Sequence, residues 1–344
     1  MWMNVWHAVS GRFKFEDLPK SPPTTPAPPH EGDDYFTQRV FDYAVEVPDY
    51  SQKLVAQPLT PRPQRPAIAP NSIDISIVER YIPPTSAAEF EELFSATGRS
   101  FLNDRLIELS PAHGTLLFIY PTKAGGQTFL KKYLDPILAP TLRVMMGVYE
   151  LPQHLVEAVG RMDAIPSLPT FEDMKSQLLT FLNTLSNGGG STPNRFRLQG
   201  STYELMHAAP ELVPLDREVW AKDWWTKQEK LRIQRTFEAH DVQSATRTRQ
   251  AGAFSAAEHV VMATLETQQA AQSNQGRLLH HAETQSLLRE AERSRGERHP
   301  GNNEQMILNL MQEVISRRYR DGPPEVGVEV GVFVIQKRPR STVS

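Results

Sequence analysis

Apolar and polar positions first settle into a regular pattern at Ile73. Ile73, Ile75 and Ile77 alternate with Asp74 and Ser76, and Val78 follows. That period of two predicts a strand over 73–79, ended by Pro83-Pro84. Thr85 or Ser86 then opens a helix through Phe90, Leu93 and Phe94. Glu89 stands three residues after Ser86, as a capping box requires, and Gly98 closes the helix. Phe101, Leu102, Leu106 and Leu109 form one helical stripe. Gly114 turns the chain into residues 115–120, which are almost wholly apolar, as in a strand covered on both faces. Strand, helices, strand is the order of a parallel crossover.

After Gly126, the spacing of Phe129, Leu130, Tyr133 and Leu134 predicts a helix that reaches Pro136. Val144 to Tyr149 reads as a further strand, interrupted by Gly147. Helices are expected near 152–160 and 170–185, then a flexible break at Asn187-Gly188-Gly189-Gly190-Ser191. Residues 201–209 alternate as a strand, with Tyr203, Leu205 and His207 on one face. A long polar helix carrying Trp220, Trp224 and Trp225 follows. The stretch 240–300 is polar and partly low in complexity. Met306, Leu310 and Val314 beside Ile307, Met311 and Ile315 predict a helix over 303–320, with Arg317, Arg318 and Arg320 favouring its last turn. Residues 326–337 close the pattern as a strand.

Upstream of Ile73 the pattern is different. Residues 19–70 hold twelve of the chain's 28 prolines. Proline lacks the N–H and restrains its predecessor, so residues 1–71 are expected to be largely extended or disordered. Tyr35 to Val47, richer in aromatics and valine, is the exception and reads as a short strand or docked arm. The expected organisation is this proline-rich region, an α/β domain over 72–338 with helical insertions including 240–300, and a tail over 339–344.

Composition narrows the chemistry. The 344 residues carry a net charge of −3 and no cysteine. Thiolate zinc sites, cysteine nucleophiles and disulfides are therefore excluded. The near-neutral balance predicts no strong attraction to nucleic acid or to an anionic membrane. No apolar run approaches the ~20 residues that span a bilayer, and the first residues lack a secretory pattern. A cytoplasmic or nuclear protein is expected. The histidines show no metal-binding spacing, and no Gly-x-Ser-x-Gly elbow is present.

The strands at 73–79 and 115–120, with Leu109-Ser110-Pro111-Ala112-His113-Gly114 before the second and the strands 201–209 and 326–337 after it, give an order of elements. That order resembles the second half of a class I S-adenosylmethionine-dependent methyltransferase. The Phe118-Ile119-Tyr120-Pro121-Thr122 and Asp223-Trp224-Trp225-Thr226-Lys227-Gln228-Glu229-Lys230 stretches are similar to uncharacterised fungal methyltransferase-like proteins. The resemblance implies an α/β fold: an incomplete Rossmann-like sheet with parallel strands four and five, an antiparallel C-terminal pair and helices on both faces. It also implies S-adenosylmethionine as cofactor and a small-molecule substrate. Phe15-Glu16-Asp17-Leu18-Pro19 looks like the acidic segment that approaches the adenine in this family, which nominates Glu16 and Asp17. The family's acid-x-Gly-x-Gly-x-Gly loop is not found in the chain. The expectation is a fragment or a non-catalytic descendant, weak or inactive alone.

Tyr120, Thr122, Gly125 and Gly126 form the candidate substrate-side loop, where the carboxyl end of a parallel strand places ligands. The other reading of Gly125-Gly126 is a tight strand-to-helix turn, and of Tyr120 and Thr122 simple strand termination. The three tryptophans either form an aromatic binding face or pack beneath the sheet, with Trp220 and Trp224 on one helix face. The rival function is a non-enzymatic scaffold that contacts a protein partner through the proline-rich arm and the polar helices. With the strand 73–79 at an open sheet edge, Tyr35–Val47 is expected to dock near it.

Overall fold

The computed structural model describes residues 2–10, 39–47, 66–94, 100–187, 201–243, 300–320 and 322–340. They divide into two compact units. The first comprises Met1–Leu130, Met162–Pro214 and Glu325–Ser344; the second comprises Lys131–Arg161 and Leu215–Pro324. The α/β domain expected over 72–338 contributes to both.

The first unit is built on a mixed sheet of four strands. In chain order these are β3 (Ile75–Glu79), β4 (Thr115–Pro121), β5 (Ser201–Val213) and β6 (Val328–Pro339), following β1 (Trp2–Ser10) and β2 (Arg39–Val47). The spatial order is β3-β4-β6-β5. β3 runs parallel to β4, with Ile77 beside Leu117. β6 lies antiparallel between β4 and β5, placing Phe333 between Phe118 and Ala208. These pairings match the adjacency and directions expected from the four apolar runs.

Three helices supply the core: α1 (Ala87–Leu93), α2 (Phe101–Glu108) and α6 (Phe171–Asn187). Phe90, Leu102, Leu106, Leu178 and Phe181 join Leu116, Phe118, Phe333 and Ile335 in one buried cluster. Period-two alternation puts those strand residues on one face of the sheet. The opposite face carries Leu117, Ile119, Val332 and Val334, which are half-buried, and Ile75 and Ile77, which are exposed. The expected burial of residues 115–120 on both faces is therefore corrected: all three core helices serve one face. Residues 129–135 and 306–315, expected to supply that cover, belong mainly to the second unit.

Local chemistry explains several departures from the sequence pattern. Ser86 occupies the N-cap of α1 without a side-chain cap bond, and it is Thr85 that donates its hydroxyl to Glu89. β5 continues through Pro210 to Val213, because β5 is an edge strand and an edge tolerates a missing N–H. A bulge between Leu205 and His207 shifts the register. His207 is thereby turned outward, away from the face shared by Tyr203 and Leu205. Tyr35–Val47 does not cover β3 as a neighbouring strand. Its described part, β2, pairs in parallel with β1 in a separate two-stranded sheet, Trp2 beside Arg39 through Ser10 beside Val47.

After β4 the chain enters α3 (Lys123–Thr128), a π-helical turn (Phe129–Leu134) and α4 (Asp135–Tyr149). Pro136 does not end the helix, since proline in a first turn sacrifices no bond. Val144–Tyr149, expected as a strand, is consequently the last part of α4, which stops at Glu150 with φ 51°. In the second unit α4 packs against α5 (Gln153–Gly160) and α8 (Pro300–Ser316), with a helix spanning residues 217–243 between them in sequence, whose part 226–243 we label α7. Val219–Trp225 of that helix is π-helical. An i→i+5 repeat replaces the i→i+4 one, so Trp220 and Trp225 are buried together and Trp224 is left half-exposed. Trp220 stacks edge-on to Tyr133 at 6.5 Å. α8 ends at Ser316, before the three arginines expected in its last turn.

Candidate functional site

The carboxyl end of β4 holds all four residues nominated for a substrate-side loop. Tyr120 is buried at 3% exposure against Phe90, ring centres 5.5 Å apart, and Phe118, 5.7 Å apart. Pro121 ends the strand and Thr122 becomes the N-cap of α3. Its hydroxyl accepts from the Gly125 N–H at 3.1 Å and donates to Glu329 Oε1 at 2.5 Å. The Thr122 N–H donates to the Glu329 carbonyl at 3.2 Å. Thr122 thus ties β4 and α3 to β6.

The glycines serve the same joint. A Cβ on Gly125 would lie 1.9 Å from the Glu329 carbonyl oxygen, inside any permitted contact. A Cβ on Gly126 would meet Leu168 Cδ1 at 3.0 Å. Both glycines are buried. Gly125 is required by the close approach of α3 to β6, and Gly126 by close packing against Leu168. Glu329 was not nominated from the sequence. It is a lone acid inside the apolar run Val326–Ile335, and its partner Thr122 stands 207 positions earlier.

Beside Tyr120, the end of β3 supplies charge. Arg80 donates its N–H to Ile119 O at 3.0 Å, its Nε to Ile82 O at 3.1 Å, and pairs through Nη1 with Glu89 Oε2 at 3.0 Å. Burial pushes the Tyr120 hydroxyl up to about 12; Arg80 pulls it down and Glu89 raises it further. At neutral pH Tyr120 is a phenol, unable to act as a base. Arg80 and Glu89 keep about a quarter of their side chains accessible, 26% and 23%. The arrangement can accept or donate hydrogen bonds, and it holds no activated nucleophile. Glu16 and Asp17 lie outside the described residues. Among the described residues no three His, Asp or Glu side chains converge as a metal site would need, and no helix is long and apolar enough to cross a membrane.

At the opposite end of the sheet lies a second polar centre that the sequence pattern did not mark. Lys337 is fully buried at the end of β6. Its ammonium donates to the carbonyls of Leu109 at 2.8 Å, Ile107 at 3.0 Å and Leu106 at 3.5 Å, and to Asn71 Oδ1 at 2.8 Å. These carbonyls are the open end of α2, where a cation is favoured. Burial lowers the Lys337 amine to about 8, so it remains charged at pH 7. Arg105 and Glu108, paired at 2.7 Å in the same helix, are buried with it, and Glu108 also accepts the Ile68 N–H at 3.0 Å. In the second unit, Arg232 closes α5 in the same manner, donating to Val159 O at 2.8 Å and Ala158 O at 3.1 Å while paired with Glu229.

Comparison with family models, with curated proteins and with solved structures yields no match.

Proposed function

We propose that this chain is a methyltransferase-like α/β protein that is weak or inactive alone. The observation that carries this reading is the order and direction of the strands. A parallel pair, β3 and β4, is followed across the sheet by an antiparallel pair, β6 and β5. That order resembles the second half of the S-adenosylmethionine-dependent class, incomplete on the β3 side. In that class the glycine-rich loop holding the cofactor belongs to the first half, and these 344 residues contain no such loop. S-adenosylmethionine is the cofactor the resemblance implies, and Glu16 and Asp17 alone are too little to hold it. Calorimetric titration of the full chain with S-adenosylmethionine tests the reading. No saturable heat is expected, and binding at micromolar affinity would refute it.

One observation favours the scaffold reading as the working role. Tyr120, Thr122, Gly125 and Gly126 are all consumed in packing at the carboxyl end of β4. A substrate-side loop needs side chains or backbone groups open to a ligand, and these four are closed. The small-molecule substrate implied by the resemblance thus finds little purchase there, whereas a protein partner on the proline-rich arm needs none of them. Affinity capture with the full chain and with residues 19–70 deleted separates the possibilities. Loss of a partner on deletion places recognition in the arm; retention removes the arm from the account.

A further inference from the structure

We propose that two copies of this chain associate through β3, pairing antiparallel in a register centred on Ile77. The inference concerns the sheet edge and does not depend on the methyltransferase-like reading. β3 ends the strand order, so one of its edges meets β4 and the other meets no strand among the described residues. The Asp74 carbonyl accepts from the Thr115 N–H at 2.8 Å, and the Arg80 N–H donates to Ile119 O at 3.0 Å. The even-numbered residues therefore turn their backbone groups toward β4. In a strand, successive residues turn theirs to opposite edges. Ile75, Ile77 and Glu79 consequently aim N–H and C=O groups at the open side.

The same residues leave the strand unguarded. Edges are normally blunted by proline, lysine, a bulge or extreme brevity. Ile75-Ser76-Ile77-Val78-Glu79 has no proline, lysine or glycine, and its single charged residue, Glu79, stands at the last position. Ile75 is 71% and Ile77 60% exposed. An edge of this kind is a template for a further strand.

The occupant follows from self-complementarity. Centring on Ile77 sets Ile77 opposite its own copy and each Ile75 opposite the other copy's Glu79. All are outward-aimed residues, and facing pairs of that kind exchange two bonds each, roughly six bonds in all. The register also sets the exposed Asp74 opposite Arg80 of the second copy, once on each side of the axis. Arg80 keeps Glu89 as its own partner, and Asp74 joins that pair as a third member. Centring on Ser76 instead sets Asp74 opposite Val78 and gives roughly four bonds. A two-fold axis normal to the sheet keeps each face on its own side. The apolar surface of Ile75, Ile77, Leu117 and Ile119 then runs unbroken into that of the second copy.

The chain has no cysteine, which makes the register directly measurable. Single-cysteine variants Ile77→Cys, Ile75→Cys and Glu79→Cys are treated with a short bifunctional thiol cross-linker. In the stated register only position 77 faces itself, so I77C should be captured as a covalent dimer at least about tenfold faster than I75C or E79C, whose self-distances are about four residues of strand, ~13 Å. Sedimentation equilibrium of the unmodified chain should show a monomer–dimer equilibrium. Ile77→Pro removes an N–H that β4 does not use, and should weaken self-association at least about tenfold while preserving the circular dichroism spectrum. A wild-type chain that stays monomeric, a dimer indifferent to I77P, or equal capture at 75, 77 and 79 would each overturn the proposal.

Discussion

Replacing Lys337 with methionine tests whether a buried ammonium closes α2. Methionine keeps the length and the apolar stem but removes every donor. Two terms oppose each other. Removing the charge relieves a desolvation cost, which the lowering from 10.5 to about 8 expresses. Against it, the carbonyls of Leu106, Ile107 and Leu109 and the Asn71 amide oxygen lose their donor. Each buried acceptor left unmade costs about 1–3 kcal/mol, and several are lost together. Breaking one side of such a set outweighs the relief of the charge. Lys337→Met should therefore lose about 1–3 kcal/mol of unfolding free energy at pH 7.

The pH dependence gives the sharper signature. The folded amine titrates near 8 and the unfolded one near 10.5. Between those values the unfolded chain binds more protons, so wild-type stability rises with pH. Below the folded value both states are charged and the full cost of burial is present; above the unfolded value it is gone. Integrating from pH 7 to 9.5 gives a rise of about 2 kcal/mol from this group alone. The variant lacks it, so the gap between wild type and Lys337→Met should widen by about 2 kcal/mol over that range. The buried tyrosines act in the other direction and only above pH 10, since Tyr120 and Tyr319 are raised to about 12. Urea unfolding at constant ionic strength, followed by circular dichroism at pH 7, 8, 9 and 9.5, measures the gap. A gap constant across that series would refute the buried-ammonium argument. A variant as stable as wild type at pH 7 would refute the capping argument.

Gly125→Ala should cost about 3 kcal/mol in urea unfolding, because its Cβ would fall 1.9 Å from a backbone oxygen that cannot rotate away; a loss below 1 kcal/mol, on the order of an ordinary helical substitution, would remove the close-approach account. Gly147→Ala, with nothing near its Cβ in the exposed face of α4, should instead raise the melting temperature, with a gain of about 0.5–1 kcal/mol. Thr122→Val should lose about 1–2 kcal/mol, since it removes the α3 cap and the donor to Glu329 together; adding Glu329→Gln should cost less in the Thr122→Val background than alone, as a double-mutant cycle would report. Tyr120→Phe should leave stability at pH 7 within about 0.5 kcal/mol and make it fall less steeply above pH 10, because the raised phenol loses its contribution as pH climbs.

The strand pairings were legible because β4 and β6 are dense apolar runs, β3 and β5 alternate apolar with polar residues, and each is bounded by proline or glycine. Ile73–Glu79 and Thr115–Pro121 illustrate this: short, β-branched and aromatic, they are joined by two helices, the kind of crossover a parallel pair needs, and β3 and β4 lie parallel. Val144–Tyr149 misled because two valines and a tyrosine raise strand propensity, while the helix already running from Asp135 supplies the next bond at each step. The tryptophan pairing misled because a π-helical turn changes the repeat without changing composition. The Met206 bulge inverted the facing of His207 for a similar reason: one extra residue flips a period of two. Lys337 and Glu329 were invisible in principle. Each is a single polar residue in an apolar strand, and its meaning lies in carbonyls or hydroxyls more than two hundred positions away.

These observations bear on where function can reside in the first unit. At the carboxyl end of β4 the Thr122 hydroxyl caps α3 and holds Glu329, and the Gly125 backbone rests on β6. At the other end Lys337 is committed to α2. Both ends of the central strands are thus fastened by side-chain to backbone bonds. The open β3 side is different. There the sheet exposes Ile75 and Ile77, and it leaves outward backbone groups without a strand among the described residues. Exposed apolar surface joined to an unpaired edge costs stability unless a partner covers it. Recognition by strand addition requires just that pair of features: backbone groups for affinity and alternate side chains for selectivity. In the first unit it is the β3 edge, with its outward backbone groups beside Ile75 and Ile77, that a second copy would use in the proposed association.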